Sequence, residues 1–433
     1  MLRQFGRQLD ERWHSRRLGR EFEQLPFQLE QQLWLSLRLY AKYALCSVCL
    51  LAKRESPSCL AAKCLAAAPF GSAYPPCCGA RENWRRSTYR RACSMKRAGN
   101  LYPRICSMDA LLAAYHAASL HKRSHRACYA FGRNLGANLT ALHRELSDGS
   151  YRPRTCSRFW VTDGRKPRLI EAPAFRDMVV QHAVYAVSSP VFERHYIATN
   201  FACRTGFGTH KAADWLQAAM RRAPRTDWIL HVDVRKFFYT IDRDVLHALV
   251  AQIIKCQPTL DLMHAFAQRP EITGVPIGNL MSQTFANLYL SSLDHYCKRT
   301  LKIKDYGRYM DDSIMLAPDR ATGLIWLAGI RAHLALLGLE ISHYNLHPIK
   351  RGANFCGFRT WARGRFVRPH LINSVRSDAR KGKLESIVSR LGHAQRTCSL
   401  NPMLNYLKDH HHDLYRQLPK SYHARHHLHA ARS

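Results

Sequence analysis

Two adjacent carboxylates within Tyr309-Met310-Asp311-Asp312 constrain the fold of this 433-residue chain more than any other feature. Apolar runs flank the pair, so the pattern predicts a strand, a tight turn and a second strand over residues 308–316. A third carboxylate, Asp233, lies near the end of the apolar, β-branched run 229–234, 78 residues before Asp311. A sheet that brings these three groups together can hold two Mg²⁺ ions, which clamp the attacking and leaving oxygens of a phosphoryl transfer.

The candidate metal ligands follow from this pattern. We predict Asp233, Asp311 and Asp312 as catalytic residues that hold two Mg²⁺ ions, with Val234 as a further metal contact and with Mn²⁺ able to substitute. Without a cation the carboxylates would repel one another, so metal binding should relieve that repulsion. This chemistry makes the chain a candidate nucleotide polymerase.

The charge of the chain favours a nucleic-acid partner. Its 66 Lys and Arg outnumber its 31 Asp and Glu, which gives a formal net charge of +35. Such an excess raises the affinity for polyanions and makes binding depend strongly on salt. A merely solvated basic surface and an anionic membrane surface are the alternatives. Arg38 and Lys42 interrupt the most apolar early stretch, 33–51, so no segment is expected to span a membrane.

Residues 1–94 differ in composition from the rest of the chain. Seven of the 15 cysteines lie there, and their spacing lacks the second pair that a zinc finger requires. The other eight are scattered singly, as expected of reduced cysteines in a cytosol-like compartment. The segment is either a basic, Cys-rich extension or an over-extended reading frame whose natural start is Met95, and the second interpretation is favoured.

From Met95 onward the pattern predicts an ordered α+β protein. The dipeptide Asp163-Gly164 predicts a hairpin between strands at 158–162 and 167–172. Five helices are expected. Ser107 caps the first, which carries Leu111, Leu112, Tyr115 and Ala118, and the second has Leu135, Leu139, Leu142 and Leu146 on one face. The third covers 176–187, the fourth is capped by Asn279, and the fifth covers 321–337 and ends at Gly338. This order of elements predicts a core built on an antiparallel sheet.

Basic and aromatic residues are expected around the metal site. Lys166 and Arg168 on the hairpin are placed to meet a triphosphate, although an isolated basic pair usually faces solvent. Phe237 and Phe238 follow the strand of Asp233, and one of them is expected in the core. We predict Phe238 as the residue that packs under the sugar of an incoming nucleotide and excludes a ribose 2′-hydroxyl.

The loop 274–283 is the third element of the predicted site. Gly278 would let the backbone approach a base pair closely. The helix that follows would turn Ser282 and Gln283 toward a template strand. A plain Gly/Pro loop before a capped helix is the alternative, and the loop taken by itself favours it.

Four segments resemble, in order, the successive blocks of reverse transcriptases. They are Asp233 in its strand, 278–283, Tyr309-Met310-Asp311-Asp312, and Gly352-Ala353-Asn354-Phe355-Cys356-Gly357-Phe358, and the resemblance runs from about Met95 to Arg380. Within that superfamily the chain is similar to the reverse transcriptases of diversity-generating retroelements, whose third block ends in Ser-Gln and carries a small apolar residue where relatives have Gln. Here that block is Ile277-Gly278-Asn279-Leu280-Met281-Ser282-Gln283. Segments 95–101, 176–182, 206–210 and 339–343 also fit.

The resemblance implies a low-fidelity RNA-directed DNA polymerase, prokaryotic or phage-encoded and cytoplasmic. It would use dNTPs to copy a template-repeat RNA into cDNA mutated at adenines, which diversifies a target gene by mutagenic retrohoming. Its partner would be an accessory variability protein, a basic helical oligomer. Ile277 would loosen the nucleotide pocket, and Tyr309, Met310 and Gly357 would contact template or primer.

The resemblance also implies a right-hand polymerase, with fingers at 95–225, palm at 226–362 and a basic helical thumb and tail at 363–433. Two departures stand out: Cys356 replaces the usual Leu in the block that helps to hold the primer, and residues 1–94 have no counterpart. A reverse transcriptase of a phage-defence or group II intron-like system is the first alternative function. A non-catalytic RNA-binding protein is the second.

Overall fold

The computed structural model of the chain describes residues 96–163 and 166–424, with the side chains of Asp163 and Lys166 left out of the description. The predictions for residues 1–94 and for the Lys166 side chain therefore lie outside the described residues. Within them, helices and antiparallel sheets alternate along the chain, as the sequence pattern predicts. No described helix is both long enough and apolar enough to cross a membrane.

The first part of the described chain is a group of helices with one hairpin. Ser107 caps the second helix, because its side chain accepts a hydrogen bond from the amide of Ala110. In order, these elements are α1 (Tyr102–Cys106), α2 (Met108–Ser119), α3 (Arg126–Arg133), α4 (Leu135–Ser147), β1 (Ser157–Asp163), β2 (Lys166–Ala172), α5 (Phe175–Glu193) and α6 (Thr209–Arg222). Strands β1 and β2 pair antiparallel, as the Asp163-Gly164 turn signal predicts.

The middle part contains the central sheet and the helices that flank it. Its elements are β3 (Trp228–Val234), α7 (Phe237–Thr240), α8 (Arg243–Ala251), α9 (Gln257–Ala267), α10 (Leu280–Tyr289), α11 (Ser291–His295), a π-helical turn (Tyr296–Thr300), β4 (Tyr306–Tyr309), β5 (Asp312–Ala317), α12 (Arg320–Leu336) and β6 (Ile341–Pro348). The four strands run in the order β4-β5-β3-β6, and every neighbouring pair is antiparallel. The strand of Asp233 is therefore interior and the 309–312 turn is at an edge.

The last part is a small sheet followed by helices. After a 3₁₀ turn (Ile349–Arg351) come β7 (Ala353–Phe355), β8 (Phe358–Thr360), β9 (Arg365–Val367), α13 (Pro369–Arg380), α14 (Leu384–Ala394), α15 (Leu400–His410) and α16 (His412–Arg416). Apolar side chains of these helices, among them Leu391 and Leu404, form one buried cluster that also takes in Phe358. A second cluster packs α6 against the central sheet through Leu216, Ile229 and Ile314.

Two helices depart from the pattern. Helix α2 buries the face that carries Leu111, Ala114 and Ala118. Leu112, which the pattern places on the apolar face, lies outside this buried face and is exposed. Helix α5 continues to Glu193, past the predicted end at Val187, and contains Pro190. Its buried residues continue on both sides of the proline, so tertiary packing carries the helix through a residue that ends many others.

Candidate active site

The two carboxylate-bearing strands lie side by side. Asp233 on β3 is the direct cross-strand partner of Asp312 on β5, so both side chains project from the same face of the sheet. A two-residue turn, Met310-Asp311, joins β4 to β5. The register shifts between Asp233 and Val234, a buried residue, which marks a β-bulge at this strand end. The structure thus brings together the three carboxylates that the sequence predicts.

Asp311 lies in a concentration of negative charge. Burial raises its pKa to about 6, and the carboxylates of Asp233 and Asp312 add to the increase. A divalent cation would reverse this shift, because it favours the charged form of every oxygen ligand. The donor set, three carboxylates at a strand edge, is the kind that hard cations such as Mg²⁺ and Mn²⁺ prefer. By their chemistry the three carboxylates therefore suit a divalent cation.

Two of the carboxylates have hydrogen-bond partners outside the set. Asp312 pairs with His231 Nε2, and Asp233 accepts a hydrogen bond from Ser342 Oγ. Over residues 96–163 and 166–424, no three His, Cys, Asp or Glu side chains are already gathered as metal ligands. His231 and Ser342 are thus direct neighbours of the candidate ligands that the sequence analysis did not single out. The alternation that places His231 on the same strand face as Asp233 was the signal that could have found it.

The hairpin β1–β2 reaches the same region. The positive charge of Arg168 lowers the pKa of Asp311, so the guanidinium lies within electrostatic range of the carboxylate. The amide of Glu171 donates a hydrogen bond of 2.7 Å to the carbonyl of Ile277, which ties the hairpin to the loop 274–278. Arg168 is thus close to the carboxylates, and its contact with a triphosphate stays a prediction.

Gly278 serves a contact other than the expected one. Its φ is +106°, and a Cβ built there would lie 2.9 Å from Cγ2 of Ile170 on β2. The close approach is therefore between the loop and the hairpin, which is a different reason for glycine than the approach to a base pair. Ile277 itself is half-buried.

The two phenylalanines after β3 have different surroundings. Phe237 is buried, with 2% of its surface exposed, and packs against Tyr289 and Phe238. Phe238 is half-buried, and its carbonyl accepts a 2.9 Å hydrogen bond from the amide of Val275. The structure therefore places Phe238 between the strand of Asp233 and the loop that carries Ile277.

Ser282 and Gln283 point in different directions. Gln283 is exposed, but Ser282 is 1% exposed, and its Oγ has no hydrogen-bond partner among the described residues. The expectation that Ser282 faces a template is wrong for this geometry, because α10 is buried almost all round. Its N-cap is as predicted: Asn279 Oδ1 accepts a hydrogen bond from the Met281 amide at 2.8 Å.

The segment at 355–358 borders the carboxylates from the other side. Burial raises the pKa of the Cys356 thiol, and the Asp312 carboxylate adds to the increase, so the two lie near each other. Gly357 has a φ of +86° and contacts His393 of α14, which stacks on Phe358 with ring centroids 4.3 Å apart. The expected primer-side segment is thus adjacent to the candidate site.

Part of the basic excess is used in contacts within the protein. The Arg204 side chain is 8% exposed, pairs with Glu193, and donates hydrogen bonds to the carbonyls of Ile197 and Asn200 at 3.0 and 2.7 Å. Arg222 pairs with Asp305. The sequence analysis also missed Arg308 and Asp294, which form an ion pair with both side chains 0% exposed.

Comparison with known proteins agrees with this geometry. Residues 163–359 match the family described as "Reverse transcriptase (RNA-dependent DNA polymerase)". The chain is 26% identical over 172 residues to the group II intron-encoded protein LtrA of Lactococcus lactis subsp. cremoris, a match that covers 37% of this chain and 28% of LtrA. It is 24% identical over 174 residues to the protein YkfC of Escherichia coli (strain K12), covering 37% of this chain and 46% of YkfC.

A solved structure is also similar. Telomerase from Candida albicans, in complex with a TWJ fragment of telomeric RNA, matches with a TM-score of 0.41 and 13% identity, over 61% of this chain and 55% of that one.

The matched segment contains the three carboxylates, Arg168 and Gly357, but it begins at the last residue of β1 and ends before His393. The chain spans less than half the length of the curated relatives named here. Residues 163–359 thus match a reverse transcriptase domain, and this part of the chain has group II intron-encoded relatives. Domains of this family generally use divalent metal ions.

Proposed function

We propose that this chain is an RNA-directed DNA polymerase whose reaction takes place at Asp233, Asp311 and Asp312. The observation that carries the proposal is the pairing of Asp233 with Asp312 across β3 and β5, with Asp311 in the adjoining turn and the charge of Arg168 acting on it. The side chains of these three residues, with Val234 at the bulge, would hold two divalent cations. When bound, such cations supply the positive charge that stabilises phosphoryl transfer.

The remaining residues position the substrates. Arg168, with Lys166 on the same hairpin, neutralises the triphosphate of an incoming dNTP. Phe238 lies under the sugar and selects deoxynucleotides, and Ile277 and Gly278 line the pocket of the base. Gln283, Tyr309, Met310 and Gly357 contact the template and primer. In this assignment residues 95–225 are the fingers, 226–362 the palm, and the residues from 363 onward the thumb and tail.

The biological role that fits the pocket best is diversification. An apolar side chain at position 277 offers no hydrogen bond beside the nascent pair, and this favours misincorporation. The resemblance to the reverse transcriptases of diversity-generating retroelements implies that the errors fall opposite adenine. The enzyme would then copy a template-repeat RNA into mutated cDNA, with a basic helical accessory protein as its partner.

The similarity to LtrA favours a second candidate, a reverse transcriptase of an intron-like system. The error spectrum separates the two, because an intron-like enzyme has no need of errors concentrated at adenines.

The test is a primer-extension assay on an RNA template with Mg²⁺ and four dNTPs, followed by sequencing of the product. Asp311→Asn should abolish extension while RNA binding, measured by fluorescence anisotropy, is retained. Asp409→Asn, on the exposed face of α15, is the matched control and should leave extension intact. Equal activity of both variants would disprove the site. Faithful cDNA from the native chain would keep the polymerase and reject the diversifying role.

A further inference from the structure

The turn that carries Asp311 has an unusual backbone. Met310 has a φ of +56°, in the left-handed region that residues other than glycine rarely adopt. The two-residue turn of a hairpin requires a positive φ at its first central residue, which is usually glycine, asparagine or aspartate. A methionine side chain does nothing to favour this region, so a contact that holds the turn would stabilise its conformation.

Arg308, two residues before Met310, makes that contact. Its Nη1 donates a 2.8 Å hydrogen bond to the carbonyl of Met310. The guanidinium is fully buried, so this bond is not exchanged for water. A charged donor thus holds one carbonyl of the two-residue turn from inside the protein.

The other donors of Arg308 fix the guanidinium in place. Nε and Nη2 each donate to one oxygen of Asp294 at 2.7 Å, which is a bidentate pair. Nη1 and Nη2 also donate to Oδ1 and to the carbonyl oxygen of Asn287, at 3.4 and 3.2 Å. All five N–H groups of the side chain are therefore used. A second donor, Tyr306 Oη, orients Asp294 at 2.8 Å.

The network reaches from the turn to three other elements. Asp294 lies in α11 and Asn287 in α10, the helix that follows the loop of Ile277. Asn287 Nδ2 donates to the carbonyl of Ala202 at 2.6 Å, and the Arg308 amide donates to the carbonyl of Thr199 at 3.0 Å. These hydrogen bonds fix the position of the turn relative to the segment 199–202 and to α10, and not only relative to β5.

We propose that Arg308, held by Asp294 and Asn287, is a positioning residue that sets the Met310-Asp311 turn and so places Asp311 and Asp312 for metal binding. A buried ion pair adds little net stability compared with apolar residues of similar size, so stability alone is a weak reason for this one. Lysine could not replace Arg308 in this network, because its ammonium group cannot reproduce the planar guanidinium with five N–H donors. This inference rests on the proposed function, since it assigns the placement of the proposed ligands.

The test compares Arg308→Lys with Arg365→Lys in the full chain. Arg365 is the matched control, because it is a buried arginine on another sheet, in β9, and it pairs with an aspartate, Asp214 of α6. Binding of Mn²⁺ is measured by electron paramagnetic resonance without nucleotide or template. We expect the Mn²⁺ affinity of Arg308→Lys to fall by roughly tenfold or more, and that of Arg365→Lys to stay within about twofold of the native value.

Kinetics and amide exchange provide independent readouts. Misplacement of the turn should lower kcat by about a hundredfold while changing KM for dNTP little. Hydrogen exchange should increase at residues 309–312 and not elsewhere in β5. Because asparagine tolerates a left-handed backbone, Met310→Asn in the Arg308→Lys background should restore part of the Mn²⁺ affinity.

The outcomes separate the two proposals. Suppose that the native chain binds Mn²⁺ and polymerises, and that Arg308→Lys and Arg365→Lys lose equal Tm and have equal Mn²⁺ affinity. The positioning role of Arg308 is then wrong, and the proposed function stands. If the native chain neither binds Mn²⁺ nor polymerises, both are overturned. Should Arg308→Lys not fold, Tyr306→Phe removes one donor to Asp294 and keeps the guanidinium. It should weaken Mn²⁺ binding in the same direction, and unchanged binding would reject the proposal.

Discussion

At the scale of single residues, Phe237 and Phe238 provide a comparison within one dipeptide. Phe237 is in the core, so Phe237→Ala should lower the free energy of unfolding by about 3–5 kcal/mol. Phe238 is half-buried beside the strand of Asp233, so Phe238→Ala should cost less stability. It should also admit ribonucleotides, because it removes the side chain that we propose to exclude the 2′-hydroxyl. Urea unfolding and single-nucleotide incorporation with dNTPs and rNTPs measure the two effects.

The two variants serve as controls for each other. If Phe238→Ala still rejects ribonucleotides, another side chain selects the sugar. If Phe237→Ala admits them without loss of stability, the two roles are exchanged.

Ile277 is the residue at which fidelity can be tested. Ile277→Gln should lower misincorporation opposite adenine, because the amide restores a polar contact beside the incoming nucleotide. The measurement is deep sequencing of cDNA made on an adenine-rich RNA template. Ile272→Gln makes the same change five residues earlier in the chain, at a residue that is 92% exposed, and it should leave the error spectrum unchanged. An unaltered spectrum in Ile277→Gln would reject this residue as a cause of infidelity.

The candidate site divides into residues that local pattern predicts and residues that it cannot. Asp233, Asp311 and Asp312 follow from strand ends and a turn, which are local features. Arg308 and Asp294 form their contact across a strand and a helix, and a charged residue in sequence is normally taken as exposed. The burial of Ser282 has the same origin, since only the packing of α10 between other helices shows that its polar side chain faces inward.

At the scale of elements, the contact between the hairpin and the loop depends on Gly278. Gly278→Ala adds a Cβ 2.9 Å from Ile170 at a φ of +106°, so the hairpin β1–β2 must shift away from the loop. We expect KM for dNTP to rise by about tenfold, because Arg168 moves with the hairpin. Hydrogen exchange of the Glu171 amide, which bonds to Ile277, should become faster.

Gly149→Ala is the matched control for backbone strain. Gly149 also has a positive φ, +75°, but a Cβ there would meet nothing within 4 Å. Gly149→Ala should lose about as much stability as Gly278→Ala loses through backbone strain. The KM for dNTP and the hydrogen exchange of the Glu171 amide should not change. If both variants raise KM equally, strain rather than the hairpin contact is the cause.

Elements with strong local signals were predicted well, and short ones were not. The hairpin β1–β2, the strand–turn–strand over β4 and β5, and the end of α12 before Gly338 match the pattern closely. Strands β7 to β9 have three residues each, too few for an alternation to stand out. They form a sheet because Phe355, Phe358 and Val367 are buried by two different clusters, which is a tertiary effect.

At the scale of the whole molecule, most of the charged residues lie in the part of the chain that carries the candidate site. Residues 95–433 contain 50 of the 66 Lys and Arg and 24 of the 31 Asp and Glu. Backbone hydrogen bonds hold the first described residues in place. The amide of Ala98 donates to the carbonyl of Ile253, and the carbonyl of Ala98 accepts from the amide of Lys255, both at 2.8 Å. Most of the basic excess therefore accompanies the residues that form the candidate site.

A protein that begins at Met95 should consequently fold, bind RNA and polymerise. We expect its Tm and primer extension to equal those of the full chain, because the residues proposed for the site all follow Met95 in the sequence. Its RNA affinity should still fall by about 10³ or more between roughly 50 and 200 mM salt, as binding by six or more phosphate contacts requires. Anisotropy titrations at several salt concentrations, with the full chain as the control, measure the two slopes. An insoluble or inactive product would mean that residues 1–94 belong to the enzyme, and a slope near zero would mean that the charge of residues 95–433 does not contact the RNA backbone.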